Sequence, residues 1–256
     1  MALLTVENLS LSFAGLRALA GVSFAVNAGE IVGLIGPNGA GKTTLLNCIS
    51  RLYTPQSGRI LLDGVNLLDV PIHGVAAHGI ARTFQNLELF AGASVLENVA
   101  VNSMRRFRST LVAELLSLPS ARRNVREARK AGFKALEALG LDRFAKQRTS
   151  DLPYGTQKTV ELARALAGEP KLLLLDEPAA GLNPDESRRL GTTIRSLRDR
   201  GMTVLLIEHD MRLVMDICER IVVLDHGEKI HEGTPDTVRR DPAVISAYLG
   251  AEADDA

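Results

Sequence analysis

The alternation of apolar and polar positions divides the chain into strand-like and helix-like stretches. Residues 1–90 alternate short β-like runs with turns. Within them, 30–36 (EIVGLIG) is a continuous apolar run typical of a buried strand, and 43–52 has helical spacing. The run 57–67 (SGRILLDGVNL) predicts a short strand that ends in a turn at Asp63-Gly64.

From about residue 92 to 150 the pattern becomes helical. Ser94 and Glu97 have the spacing of a capping box before an apolar run. Apolar positions three or four residues apart then predict an amphipathic helix, with a buried face made of Ala121, Val125, Ala128, Gly132, Leu136 and Leu139. Between 105 and 148 there are twelve Lys/Arg against four Asp/Glu. This excess indicates either a solvated helical face or a surface for a membrane-embedded partner or acidic lipid headgroups.

Strands and helices alternate again from residue 170. The pattern predicts a strand at 171–176, a charged helix at 185–200, a strand at 202–208 and a hairpin at 220–233 that turns at 225–227. The element order predicts a single α/β domain over residues 1–256. We expect its parts to be a core of 1–90 and 160–250, a helical subdomain of about 91–159, and a frayed tail of 251–256.

Composition narrows the classes of function. The chain has 256 residues with 30 basic and 30 acidic side chains, so its formal net charge is zero. This balance argues against binding to nucleic acid by bulk charge. Cys48 and Cys218 are expected to be reduced, buried thiols, too few for a metal site. No secretory pattern opens the chain, and no apolar run approaches the roughly 20 residues of a membrane helix. These features predict a cytoplasmic protein that needs another chain to work at a membrane.

The stretch GPNGAGKTT (36–44) matches the phosphate-binding pattern G-x-x-x-x-G-K-[ST] between a buried strand and a helix. Glycines let the backbone approach phosphates closely, and the helix presents its positive N-terminal end to them. Lys42 is expected to reach the β- and γ-phosphates, and the Thr43 hydroxyl to bind Mg²⁺. The predicted phosphate-binding residues are Gly36, Asn38, Gly39, Ala40, Gly41, Lys42, Thr43 and Thr44.

Two adjacent carboxylates follow the apolar run LLLL. Asp176 ends the predicted strand, where a carboxylate can hold Mg²⁺ through water. Glu177 follows it and could orient a water molecule against the γ-phosphate. Taken alone, such a pair is more often a helix start or a surface feature, so the prediction depends on the phosphate-binding pattern upstream.

These motifs, together with a Gly-containing bend at 151–158 (DLPYGTQK), resemble the ATP-binding cassette (ABC) family over nearly the whole chain. The resemblance implies an α/β P-loop NTPase (RecA-like) core with an antiparallel β subdomain and an inserted α-helical subdomain. It also implies that Phe13 stacks on adenine, that Gln85 links Mg²⁺ to the helical subdomain, and that His209 contacts the γ-phosphate. The implied catalytic residues are Glu177, His209, Lys42 and Gln85, and the implied Mg²⁺ ligands are Thr43, Gln85 and Asp176.

The bend occupies the family's signature position with Pro153, Tyr154, Gly155 and Thr156. The resemblance implies that this stretch completes the ATP site of a second, facing subunit and holds nothing within its own chain. A Cβ at Gly155 would then intrude on the partner's phosphate. Pro153 replaces the common Ser, so a hydroxyl contact to phosphate is lost. Packing is the alternative role for Tyr154.

Residues 79–99, LPYG, AGLNP and the closing YLG are most similar to the cytoplasmic ATPase of branched-chain amino acid importers. That resemblance implies ATP and Mg²⁺ as ligands and a position on the inner face of the cell membrane. The implied partners are a second ATPase subunit (a paralogue or a second copy), two transmembrane permease subunits and, indirectly, an external solute-binding protein. Urea or amide import, lipopolysaccharide export and a soluble, non-transport ATPase remain as alternatives.

Overall fold

The structure is a computed structural model that describes residues 1–83, 87–104 and 119–254. Its strands are β1 Ala2–Phe13, β2 Leu16–Asn27, β3 Ile31–Ile35, β4 Ser57–Leu62, β5 Val65–Asn66, β6 Ile80–Arg82, β7 Leu172–Asp176, β8 Thr203–Ile207, β9 Arg220–Asp225 and β10 Glu228–Gly233. Its α-helices are α1 Lys42–Ile49, α2 Val95–Met104, α3 Pro119–Ala138, α4 Tyr154–Leu166, α5 Pro184–Asp199, α6 Met211–Ile217, α7 Pro235–Arg240 and α8 Pro242–Asp254.

The larger sheet has the strand order β10-β9-β3-β8-β7-β6, and only its edge pair β9–β10 is antiparallel. Every residue of β3, β7 and β8 is buried. Alternate residues of these strands enter two different hydrophobic clusters, one on each face of the sheet. Burial on both faces explains why these strands read as continuous apolar runs. The strands predicted at 30–36, 171–176 and 202–208 are confirmed.

The smaller sheet is antiparallel, with the order β2-β1-β4-β5. Strands β1 and β2 are each twelve residues long, so the prediction of only short β-like runs in this part of the chain was wrong. Buried and more exposed positions alternate along much of both strands because one face of the sheet packs on a core that it shares with α1. The predicted turn at Asp63-Gly64 joins β4 to β5.

The helices α2, α3 and α4 enclose a third hydrophobic cluster. The capping box at the start of α2 is confirmed, since the Ser94 backbone N–H donates to Glu97 at 2.9 Å and the Glu97 N–H donates to the Ser94 hydroxyl at 3.2 Å. Most of the predicted apolar stripe of α3 is buried, but Val125 is 42% exposed. Val125 lines an open groove together with Leu96 of α2 and Phe133.

Several local predictions agree with the structure, and one helix is shorter than expected. Helix α5 and the β9–β10 hairpin lie where they were predicted. Cys48 and Cys218 are buried free thiols, and burial raises the pKa of each to about 12. Helix α1 stops at Ile49 rather than at residue 52, because Arg51 adopts a left-handed φ of +63° that cannot continue a helix. No helix in the described ranges is long and apolar enough to cross a bilayer.

Candidate nucleotide and catalytic site

The candidate site forms at one edge of the larger sheet. Strands β3, β8 and β7 are adjacent and parallel, so their carboxyl ends meet at the same edge. The loop 36–41 follows β3. Asp176 ends β7 and Glu177 comes directly after it, while Glu208 and His209 follow β8. Ligands of open α/β sheets bind at this edge, outside the carboxyl ends of the strands.

The phosphate-binding loop is shaped by contacts within the protein. Gly36 has a φ of +150°, and a Cβ there would overlap the backbone carbonyl oxygen of Leu224. The protein's own backbone therefore requires a glycine at this position, in addition to any approach to phosphate. Of the other loop positions, Asn38, Gly39 and Thr43 are exposed, Thr44 is half-buried, Ala40 is buried, and Gly41 is the N-cap of α1.

The tip of the β9–β10 hairpin holds the loop from the side. The backbone N–H of Gly227 donates to the carbonyl oxygen of Ala40 at 3.1 Å. The backbone N–H of Ala20 in β2 donates to the carbonyl oxygen of Gly227 at 2.8 Å. The hairpin tip is thus bonded both to the loop and to the smaller sheet. These backbone bonds help to fix the shape of the loop.

Lys42 lies inside the loop with its ammonium group on loop carbonyls. Its Nζ donates to the carbonyl oxygens of Gly36 at 2.7 Å and of Pro37 at 2.8 Å, and the residue is 6% exposed. Burial lowers the pKa of Lys42, while the charges of Glu177 and Asp176 act in the opposite direction. Lys42 of the phosphate-binding loop is therefore within electrostatic reach of both carboxylates predicted at the end of β7.

Asp176 has an ion-pair partner that no motif marks. Its Oδ2 accepts from Nη2 of Arg82 at 2.8 Å, and both side chains are 9% exposed. Arg82 ends the neighbouring strand β6 and also donates to Asn47 of α1 at 2.7 Å. The sequence offered no signal for Arg82, because only the pairing of β6 with β7 in the folded sheet brings it beside the carboxylate.

The donors at this edge suit Mg²⁺ bound jointly with phosphates. Oxygen atoms such as the Asp176 carboxylate and the Thr43 hydroxyl are the ligands that Mg²⁺ prefers. The described part of the chain contains no cluster of three or more His, Cys, Asp or Glu side chains that could form a protein-only metal cage. Mg²⁺ commonly uses one or two protein oxygens together with substrate phosphates, and the residues fit that arrangement.

Glu177 and His209 form a pair across the ends of β7 and β8. Nε2 of His209 lies 2.8 Å from Oε1 of Glu177. Glu177 has a left-handed φ of +48°, and its backbone N–H donates to the carbonyl oxygen of Ile207 at 2.9 Å. Such backbone conformations are rare for non-glycine residues and cluster at functional sites. In this geometry the Glu177 carboxylate can accept a proton while the imidazole fixes its orientation.

Comparison with known proteins gives the family. A family model described as "ABC transporter" matches residues 19–180. The high-affinity branched-chain amino acid transport ATP-binding protein BraF of Pseudomonas aeruginosa is 44% identical over 249 residues, which are 97% of this chain and 98% of BraF. The chain belongs to the ABC transporter family. The resemblance inferred from the motifs is thereby confirmed, and this ABC ATPase domain is of the kind that serves transporters.

Other comparisons concern the branch of the ABC family that this ATPase resembles, and they confirm its fold. A model described as a branched-chain amino acid ATP-binding cassette transporter matches residues 228–254. The lipopolysaccharide export system ATP-binding protein LptB of Escherichia coli is 35% identical and covers 98% of this chain and 99% of its own length. The crystal structure of the ADP conformation of MJ1267, an ATP-binding cassette of an ABC transporter, has a TM-score of 0.85 and 31% identity, with 98% of this chain and 99% of that one covered. The predicted fold class is correct.

Of two further residues implied by the ABC resemblance, the structure describes only Phe13. Gln85 lies outside the described residues. Phe13 is 41% exposed at the end of β1, and its ring meets that of Tyr53 edge-on, with centroids 5.1 Å apart. It pairs with Leu16 at the closed end of the β1–β2 hairpin. The exposed ring leaves the adenine role of Phe13 as a prediction.

The signature bend of this ABC ATPase also contacts its own chain, while its role in the ATP site of a facing subunit stays a prediction. Pro153 is the N-cap of α4, and Tyr154, Gly155 and Thr156 form its first turn. The Tyr154 hydroxyl donates to the carbonyl oxygen of Ala180 at 3.4 Å. A Cβ at Gly155 would lie 2.7 Å from Oε1 of Glu186 in α5. The missing side chain thus makes room for a carboxylate of the same protomer. Tyr154 is 44% exposed, and both its packing role and its role in a partner's site stay predictions.

Glu208 is a buried carboxylate next to the Glu177–His209 pair, and no motif marks it. It is 4% exposed, and burial raises the pKa of its carboxyl above the ordinary value, although hydrogen bonds from the backbone N–H groups of Ala179, Asp210 and His209 act in the opposite direction. A signal was available in the sequence, since a charged residue directly after a fully apolar strand is unusual and needs partners.

Proposed function

We propose that this chain is the ATP-binding and ATP-hydrolysing subunit of a membrane importer for branched-chain or related amino acids. The observation that carries the ATPase part is the meeting of Lys42, Asp176, Glu177 and His209 beside a preformed phosphate-binding loop. The amino acid part is supported by the similarity to BraF and by the match of the C-terminal residues to the branched-chain family. Lipopolysaccharide export is the second candidate, because LptB is also similar over the whole chain.

Nucleotide binding would use the loop 36–44 and the positive N-terminal end of α1. Lys42, which now donates to loop carbonyls, would turn its ammonium group to the β- and γ-phosphates. Thr43 and Asp176, with Gln85 as a further predicted ligand, would hold Mg²⁺, which when bound neutralises negative charge on the phosphate oxygens. Phe13 would face the adenine.

Hydrolysis would depend on Glu177 as general base. Its carboxylate accepts a proton from a water molecule as the water oxygen bonds to the γ-phosphorus, and the bond from that phosphorus to the bridging oxygen breaks to give ADP and phosphate. His209 holds the carboxylate in place and would contact the γ-phosphate. Lys42 stabilises the charge that develops on the phosphate oxygens.

A second ATPase subunit, either a paralogue or another copy, would complete the site. The signature stretch of that subunit, which is residues 153–156 if it is another copy, would cover the nucleotide and present the first backbone N–H groups of the helix that follows to the γ-phosphate. Closure of the pair over ATP and its release after hydrolysis would drive two transmembrane permease subunits, with an external solute-binding protein delivering the amino acid. The chain would lie at the inner face of the cell membrane.

The ATPase assignment is tested with Glu177→Gln, using Glu228→Gln on the exposed edge strand β10 as control. We expect kcat to fall by about 10²–10⁴-fold, the usual contribution of general base catalysis. The variant should elute as a dimer with ATP, and the control should behave as wild type. Lys42→Ala should lose nucleotide binding in a fluorescent-nucleotide titration. Wild-type turnover by Glu177→Gln would refute the general-base role.

The transport assignment is tested by reconstitution. The chain is purified with the transmembrane subunits that accompany it and placed in vesicles loaded with ATP, with the external binding protein added outside. We expect ATP-dependent uptake of labelled leucine, isoleucine or valine. Uptake of urea or short amides alone would reassign the substrate, and ATP-dependent extraction of lipopolysaccharide without amino acid uptake would favour the second candidate.

A further inference from the structure

The carboxylate of Glu208 bonds two separate loops with its two oxygens. Its Oε1 accepts from the backbone N–H of Ala179 at 2.6 Å, in the loop that follows Glu177. Its Oε2 accepts from the N–H of His209 at 3.0 Å and from that of Asp210 at 3.3 Å. One buried side chain therefore joins the segments that carry the Glu177–His209 pair.

The chemistry of this contact requires a carboxylate. All three partners of Glu208 are N–H donors, and an ionised carboxylate is the side chain whose two oxygens both only accept. A glutamine of the same size could satisfy one loop, but its amide nitrogen would face an N–H group of the other loop. Hydrogen bonds between ionised groups and backbone N–H groups are also stronger than neutral ones.

The helices and strands around Glu208 are held by other contacts. The Glu208 carboxylate therefore mainly affects the positions of the two loop segments that follow β7 and β8. Asp210 is the N-cap of α6, where its Oδ1 accepts from two backbone N–H groups, and its Oδ2 accepts from the Ser187 hydroxyl of α5 at 3.0 Å. The strands β7 and β8 are paired up to Asp176 and Ile207. Beyond that pair the Glu208 carboxylate continues the connection between the two strands.

We propose that Glu208 is a positioning residue for ATP hydrolysis: by bonding both loops, it sets the distance and direction of His209 relative to Glu177. Glu208 touches neither of their side chains in the contacts described above and acts through the backbone. This inference rests on the proposed function, in which Glu177 is the general base. Displacing a catalytic group by about 1 Å can cost about 10²-fold in rate.

Steady-state kinetics of Glu208→Gln in the full-length chain gives the first test. We expect kcat to fall by about 10- to 100-fold, while KM for ATP changes less than about twofold, because the phosphate loop makes none of these bonds. Glu219→Gln is the control, since the Glu219 carboxylate also accepts a backbone N–H, that of Ile31 at 2.8 Å, at the opposite edge of the sheet. The control should keep the wild-type kcat.

A double-mutant cycle separates positioning from general damage. In single-turnover assays, Glu208→Gln should slow the Glu177→Gln variant by less than about twofold, because the group that it positions is already gone. An equal fall in both backgrounds would overturn the proposal. Amide hydrogen exchange at Ala179 and His209 should also speed up in Glu208→Gln and stay unchanged in the control.

Two further outcomes decide the remaining cases. If Glu208→Gln does not fold, Glu208→Asp takes its place, since its shorter side chain cannot span both loops, and wild-type turnover by this variant would refute the inference. Wild-type turnover by Glu208→Gln, with Glu177→Gln inactive, would refute the positioning role of Glu208 and leave the proposed function intact. Wild-type turnover by Glu177→Gln would instead remove the proposed function.

Discussion

Replacing Gly36 by alanine tests whether the phosphate-binding loop is held by its own backbone. A Cβ at Gly36 would overlap the carbonyl oxygen of Leu224, which belongs to the fully buried part of β9 and cannot move aside like a flexible side chain. Gly39 of the same loop provides the matched control. It also has a positive φ, of +77°, but a Cβ there meets nothing within 4 Å.

The two substitutions differ in one cost. A non-glycine residue in a sparsely populated backbone region costs about 1–3 kcal/mol, which both variants bear. Forcing an extra methyl group into a packed region costs about another 1–3 kcal/mol, which only Gly36→Ala bears. We therefore expect Gly36→Ala to lose about 2–6 kcal/mol of unfolding free energy and Gly39→Ala about 1–3 kcal/mol.

Urea denaturation and thermal unfolding of the nucleotide-free protein measure the difference. One kcal/mol shifts Tm by about 2–4 °C in a chain of about this size, so Gly36→Ala should melt well below Gly39→Ala. Equal losses in the two variants would refute the reasoning, because they would mean that the space beside Gly36 can accommodate a methyl group. A Gly39→Ala variant less stable than Gly36→Ala would refute it too.

Three other predictions concern stability and are checked by urea denaturation. Arg82→Met should cost about 3–5 kcal/mol because it leaves the buried carboxylate of Asp176 without its partner, and a loss below about 1 kcal/mol would contradict this. Asn183→Ala removes the capping box of α5 and should cost about 0.5–2 kcal/mol; an unchanged midpoint would argue against the cap. Burial raises the pKa of Glu30, but hydrogen bonds and charge from Arg220 help to lower it below its ordinary value. Because the folded-state pKa is the lower one, this stabilisation is present above the ordinary pKa of about 4.3 and is lost as the pH falls through the folded-state value. The unfolding free energy of Glu30→Gln should therefore depend less steeply on pH in the acidic range than that of the wild type. An unchanged slope would contradict the pairing of Glu30 with Arg220.

The fold could be predicted wherever a local pattern has one physical cause. The central strands read correctly because burial on both faces demands apolar residues at every position. The extent of β1 and β2 was underestimated, since strands with bulges interrupt their own alternation. Val125 was wrongly placed in the core, because spacing identifies a helix face but cannot tell whether a neighbouring element covers its whole length.

The residues of the site that belong to sequence motifs could be predicted, whereas the residues that support them from other strands and helices could not. Lys42, Asp176, Glu177 and His209 belong to recognisable local patterns, and the structure brings Lys42 close to the two carboxylates and His209 onto Glu177. The partners of Arg82 and Glu208 come from other strands, so their roles depend on strand order rather than on neighbours in sequence. The same applies to Gly155, whose missing side chain makes room for a residue of α5.

The hydrogen bond from Gly227 to Ala40 has a consequence for folding during synthesis. Ala40 precedes the hairpin tip by a long stretch of sequence, so the residues that brace it are translated much later. A growing polypeptide that stops short of that tip lacks the brace, just as one that stops before β8 lacks His209. The braced form of the phosphate-binding loop therefore depends on residues that the ribosome adds long after the loop itself.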